Sequence, residues 1–113
     1  MYIKTMIKNL TKNTLISENE KEAKGYVDKL IGMVVPENSE GLIIKTRFGI
    51  HTLFMTQAID VIIVDSNKKV VGLKAKIKPF RIFVWNPKFS TIIELPHGVI
   101  NKSKTQLGDK LEF

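Results

Sequence analysis

The strongest hydrophobic pattern in the chain is Ile59-Asp60-Val61-Ile62-Ile63-Val64, in which five of six residues are β-branched aliphatics. A short run that is apolar on both faces predicts a central strand. An acid at its second position is out of place there. Its own-face neighbours Ile62 and Val64 are apolar, as are Ile59 and Val61 on the other face. Asp60 is therefore expected to be buried and hydrogen-bonded. The preceding stretch, Ile50 to Met55, reads as a neighbouring strand joined by the tight link Thr56-Gln57-Ala58. That places His51, Thr52 or backbone N–H groups as the expected donors to Asp60.

Downstream, Asp65-Ser66-Asn67-Lys68 reads as a turn, after which Val70 to Lys78 alternates. Val71, Leu73, Ala75 and Ile77 are expected on one face, and Gly72, Lys74, Lys76 and Lys78 on the other. That is the pattern of a half-buried antiparallel strand with a lysine-lined outer face. Leu42–Thr46, Phe80–Trp85, Phe89–Leu95 and Lys110–Phe113 are further short strands. They are punctuated by Arg47-Phe48-Gly49, Asn86-Pro87-Lys88 and Gly108-Asp109. Met1 to Ile16 reads as one or two strands, with Asn9 and Lys12-Asn13 as turn candidates.

One segment changes period. Ser17-Glu18-Asn19-Glu20 has the form of a capping box. Ala23, Tyr26, Val27, Leu30 and Ile31 follow at the spacing of one helical face. A helix from Ser17 to near Gly32 is predicted. The expected fold is mainly β (α+β): a small antiparallel, partly closed β-barrel-like domain with one amphipathic helix, and a single domain over residues 1–113.

Composition narrows the function classes. At 113 residues the chain is long enough to bury a core unaided. It has no cysteine, which excludes disulfides, thiolate nucleophiles and Cys-based metal centres. No apolar run approaches the ~20 residues that span a bilayer. The lysines of Met1-Tyr2-Ile3-Lys4-Thr5-Met6-Ile7-Lys8 break any signal-like apolar stretch, so a cytoplasmic protein without membrane contact is expected. The chain is basic, with 18 Lys+Arg against 11 Asp+Glu, but only Arg47 and Arg81 are arginine. A lysine excess favours a solubilising surface over specific phosphate or base reading.

Taken in order, several pieces resemble the small prokaryotic family catalogued as domain of unknown function 192. They are a predicted helix ending in Gly32-Met33, then His51-Thr52-Leu53-Phe54-Met55, then Ile59 to Asp65. Val70-Val71, Glu94-Leu95-Pro96-His97-Gly98 and Gly108-Asp109 follow. The resemblance covers roughly residues 23–113, which leaves residues 1–16 as an N-terminal strand region outside it. The family usually has Gly-Leu-Met where this chain has Gly32-Met33-Val34, often after an arginine that is absent here. It usually has proline at Ala58 and alanine at His97, and often a glycine where Asn67-Lys68-Lys69 stands. These differences fall in turns, not in the core. The resemblance implies no reaction, substrate or cofactor.

The candidate ligand-binding residues are His51, Thr52, Asp60, Glu94, His97 and Asp109. They would form a cleft from Ile50–Asp60, Glu94–Gly98 and Gly108-Asp109, with Glu94 either capping its turn or facing the cleft beside Asp60. The expected function is non-enzymatic binding of a small molecule or peptide segment. Two alternatives are an enzyme with a His51/Asp60 acid–base pair and a basic nucleic-acid-binding module. The latter would use Lys74, Lys76, Lys78 and Arg81, with Phe80, Phe83 and Trp85 as a stacking platform. The histidines and carboxylates lack metal-ligand spacing, and no nucleophile elbow or phosphate-cradling glycine loop is present. No metal and no cofactor are expected. Nucleic-acid binding should be weak and non-specific at most, and the protein a monomer or small homo-oligomer.

Overall fold

The computed structural model describes residues 2–3, 6–17, 21–22, 42–47, 49–51 and 57–113. In chain order the strands are β1 (Tyr2–Ile3), β2 (Ile7–Asn9), β3 (Thr14–Ser17), β4 (Lys21–Glu22), β5 (Leu42–Lys45), β6 (Ile50–His51), β7 (Ile59–Val64), β8 (Val70–Ile77), β9 (Ile82–Phe83), β10 (Thr91–Pro96) and β11 (Leu111–Glu112). A short helix, α1 (Val99–Ser103), lies between β10 and β11.

The β-branched run forms β7 as its pattern predicts, in a four-stranded antiparallel sheet of order β5-β10-β7-β8. A second antiparallel sheet has the order β11-β2-β3, and two short ladders pair β1 with β4 and β6 with β9. The fold is mainly antiparallel β, as expected. Among the described residues the sheets remain open and do not close into a barrel.

Both faces of β7 and β10 are covered, which explains why their sequences are apolar at nearly every position. On one face Ile43, Ile62, Val64, Ile93 and Leu95 pack against Ile7, Ile16 and Leu111 of the second sheet, with Val99 and Ile100 of α1 alongside. On the other face Val61, Ile63, Ile77 and Ile92 are roofed by Phe83, Trp85 and Phe89. Each fully buried Ile or Val contributes about 1.5–3 kcal/mol relative to exposure.

Two expectations need correction. The alternation of β8 is broken by two register shifts against β7, one between Ile59 and Val61 and one between Ile63 and Val64. A bulge sends successive residues to opposite faces out of phase. Val70 and Leu73 therefore join the first cluster and Val71 and Ile77 the second, while Ala75 is exposed. Lys74, Lys76 and Lys78 are exposed, as the pattern implied.

The predicted helix start also fails. Ser17 is the last residue of β3, paired with Ile7, and Lys21–Glu22 form β4 against Tyr2–Ile3. The local capping signal at Ser17 loses to strand pairing, which gives those residues a ladder in place of a helical turn. Residues 18–20 and 23–32, the rest of the predicted helix, lie outside the described residues.

Candidate functional site

The centre of the site is Asp60, which is fully buried. It pairs with Leu95 across the β7–β10 ladder, so its side chain lies on the face of the first core cluster. Its carboxylate is saturated with donors. Oδ1 accepts the backbone N–H of Lys76 at 2.9 Å and lies 3.1 Å from His97 Nδ1. Oδ2 accepts the backbone N–H groups of Gly98 at 3.0 Å and Ile100 at 2.9 Å.

Two of the donors are delivered by distortions of regular structure. Lys76 has φ of 56°, at the bulge that interrupts the β7–β8 ladder. Gly98, the N-cap of α1, has φ of 103°, a region that L side chains rarely adopt. It has no side chain with which to cap α1, so the carboxylate of Asp60 meets the first N–H groups instead. One side chain thus ties together β7, β8 and the start of α1. Because a carboxylate can only accept, the contact with His97 places the proton of the neutral ring on Nδ1 and leaves Nε2 as the acceptor. The His97 side chain is 46% exposed.

Asp60 and His97 sit on the wall of an open cleft of about 580 Å³, together with Lys12, Asn101, Lys104 and Gln106. Beside it lies a second polar cluster. Asp109 Oδ2 accepts from Asn9 Nδ2 at 2.9 Å and from the backbone N–H of Gln106 at 2.9 Å. Lys12 Nζ reaches both Asp109 oxygens at 2.8 Å. Burial pushes the Asp109 carboxyl up, but the bonds from Asn9, Lys12 and Gln106 together outweigh it and hold it below the ordinary carboxylate range. The Asn9 amide also donates to Thr105 Oγ1 at 3.1 Å, which links β2 to the segment after α1.

The candidate residues therefore divide. Asp60 and His97 come together, and Asp109 holds Lys12 at the cleft edge. Glu94 does not share the cleft. It pairs with Val61 across the ladder, which puts it on the opposite face, in the second core cluster. There it is buried, and Oε2 has no hydrogen-bond partner among the described residues. Burial alone pushes its carboxyl up to about 8.

Backbone N–H groups, one of the expected classes of donor, supply three of the four contacts to Asp60, from Lys76, Gly98 and Ile100 rather than from the link before Ile59. His51 pairs through its backbone with Ile82 in the β6–β9 ladder, and Thr52 lies outside the described residues. Lys74, Lys76, Lys78 and Arg81 are exposed on the outer surface, as is Phe80, whereas Phe83 and Trp85 pack in the second cluster. Of the cleft residues not anticipated, only Lys12 has a neighbour that signals it. Asn9 occupies an inward position two residues after Ile7, as unusual in an apolar face as Asp60. Asn101, Lys104 and Gln106 carry no such signal.

Fold and site together define a small antiparallel β domain with a carboxylate clamp beneath an open cleft. The chain belongs to the family domain of unknown function 192, described as Uncharacterized ACR, whose profile matches residues 8–113. The match takes in β3 and most of β2, which the quoted motifs do not reach. A UPF0127 protein of Pyrococcus furiosus is 34% identical over 111 residues, covering 93% of this chain and 95% of its own. One from Pyrococcus horikoshii is 32% identical, covering 96% and 98%.

Among solved structures, a protein of unknown function from Novosphingobium aromaticivorans superposes with a TM-score of 0.70 at 14% identity, covering 99% of this chain and 85% of that one. A structure described as a putative transcription regulator from Sinorhizobium meliloti gives 0.66 at 12% identity, covering 94% of this chain and 88% of that one. At these identities the two structures show the fold alone. No helix among the described residues is long and apolar enough to cross a membrane.

Proposed function

We propose that this protein is a binding domain for a small organic acid, held in the cleft above Asp60. The observation that carries this reading is the imbalance of donors and acceptors on the cleft wall. The two nearby carboxylates are spent: Asp60 on four donors within the protein, and Asp109 on Asn9, Lys12 and Gln106. What remains for a ligand is donor-rich: the Lys104 ammonium, the third Lys12 proton and the amides of Asn101 and Gln106. Such a wall suits a carboxylate. The cleft volume of about 580 Å³ lies within the ~300–1,000 Å³ common for small-molecule sites.

Calorimetric titration with lactate, succinate and glutarate, with glycerol as a neutral control, tests the reading. At least one acid should bind saturably, with affinity falling about tenfold or more in Lys104→Ala. Equal heats for the acids and glycerol would refute it.

The Asp60–His97 contact supports a second reading. An imidazole held at Nδ1 by a buried carboxylate presents Nε2 as a proton acceptor, the arrangement of a general base. Under this reading His97→Ala would abolish turnover of a bound acid and spare its binding. Under the first, no turnover of any bound acid would be seen in the wild type.

A further inference from the structure

At the other end of the four-stranded sheet lies a second cleft, of about 660 Å³, lined by residues from the end of β5, the β7–β8 turn and the start of β10. The ladders fix its distance from the Asp60 site. Thr91 pairs with Val64 and Lys45 at this end, whereas Asp60 pairs with Leu95 near the opposite end.

Among the described residues, three cations line this cleft, Lys45, Arg47 and Lys88, against one carboxylate, Asp65. Two of the cations are held in place by the protein itself. Arg47 Nη1 donates to the carbonyls of Pro87 at 2.8 Å and Lys88 at 3.2 Å. This fixes the guanidinium plane and leaves its remaining N–H groups oriented. Lys45 Nζ donates to Thr91 Oγ1 at 2.7 Å. The Lys88 ammonium lies 5.9 Å from the centre of the Phe89 ring. The hydroxyls of Ser66 and Ser90 add donors, and Phe89 adds an apolar wall. Asp65 is committed to its own turn: its Oδ1 accepts the N–H groups of Asn67 and Lys69.

We infer that this second cleft is a phosphate site, and that it takes a small phosphomonoester whose ring or apolar portion lies against Phe89. Arg47 and Lys88 give the lining a cationic character that suits a phosphate. A guanidinium held by backbone carbonyls presents a planar donor fork suited to phosphate oxygens. A fixed fork also forfeits less entropy on binding than a mobile one. The inference is independent of the carboxylate reading of the Asp60 cleft, because the two sites share no residue.

The test is calorimetric titration at low salt with inorganic phosphate and with adenosine 5′-monophosphate. The wild type should bind both at one saturable site, the nucleotide more tightly, with affinity falling as salt rises. Arg47→Lys keeps the charge but loses the fork, and should weaken nucleotide binding about tenfold. Lys88→Ala should weaken it by a similar factor. Asp65→Asn keeps the turn acceptor but removes the negative charge, and should tighten it several-fold. His97→Ala should leave it unchanged. No saturable binding, or equal binding by Arg47→Lys and the wild type, would overturn the inference. So would binding confined to oligonucleotides and lost on Lys74→Ala, Lys76→Ala and Lys78→Ala, which would instead point to the lysine face of β8.

Discussion

His97 Nδ1 stands 3.1 Å from Asp60 Oδ1, across 37 residues of chain, and the two differ sharply in exposure. Asp60 is sealed in the core, whereas His97 is nearly half open to solvent. The histidine is thus the exposed reporter of a buried clamp, and the two can be separated by mutation. Asp60→Ala strands the N–H groups of Lys76, Gly98 and Ile100, at roughly 1–3 kcal/mol for each unsatisfied donor. A loss of about 3 kcal/mol or more is expected. His97→Ala removes one partly solvated contact and should cost less than about 1 kcal/mol. Urea denaturation of the two variants checks the contrast, and equal losses would contradict it.

Gly98 makes the second prediction. Among the described residues, nothing beyond its chain neighbours lies within 4 Å of an added Cβ. Its φ of 103° is the sole obstacle. Gly98→Ala should therefore cost about 1–3 kcal/mol from backbone strain alone. It should also loosen α1, visible as faster amide exchange at Ile100. Unchanged stability would mean that the turn reaches Asp60 by another backbone path.

Glu94 and Asp109 predict opposite responses to pH. The Glu94 carboxyl is raised from 4.5 to about 8 in the folded state. The unfolded chain therefore releases its proton first, and stability is lost as pH rises from about 4.5 to 8. At 1.36 kcal/mol per pH unit this penalty is roughly 3 kcal/mol at pH 7. Glu94→Gln should remove the slope, so that its melting temperature gains on the wild type between pH 5 and 8. A constant difference across that range would contradict the burial of the acid.

Asp109 is lowered in the folded state from 3.8. Its contribution is present above that value and is lost as pH falls through the folded one. Asp109→Asn should accordingly flatten the acid limb below about pH 4, as followed by circular dichroism. An acid limb as steep as that of the wild type would place the titrating group elsewhere.

How much of this was legible in the sequence depends on the range of the interaction. The burial of Asp60 followed from apolar neighbours on both sides of the strand. Its donors did not, because they come from a bulge at Lys76 and a bend at Gly98. Of these, only the glycine in Leu95-Pro96-His97-Gly98 has a local signature. The separation of Glu94 from Asp60 was equally hidden, since it depends on a register that sets Leu95, not Glu94, opposite Asp60. Ser17 shows the reverse case: a locally sound helix signal overridden by pairing with Ile7, a partner ten residues upstream.

The central claim, that the cleft over the Asp60 clamp holds a small acid, is tested most directly by amide chemical shifts during a succinate titration. The account predicts saturable shifts confined to Gly98, Asn101, Lys104, Thr105 and Gln106, with Ser90 and Thr91 at the far end of the sheet unmoved. The same titration of Lys104→Ala should show the shifts weakened. Shifts spread evenly over the lysines of β8, or none at the cleft at saturating succinate, would contradict it.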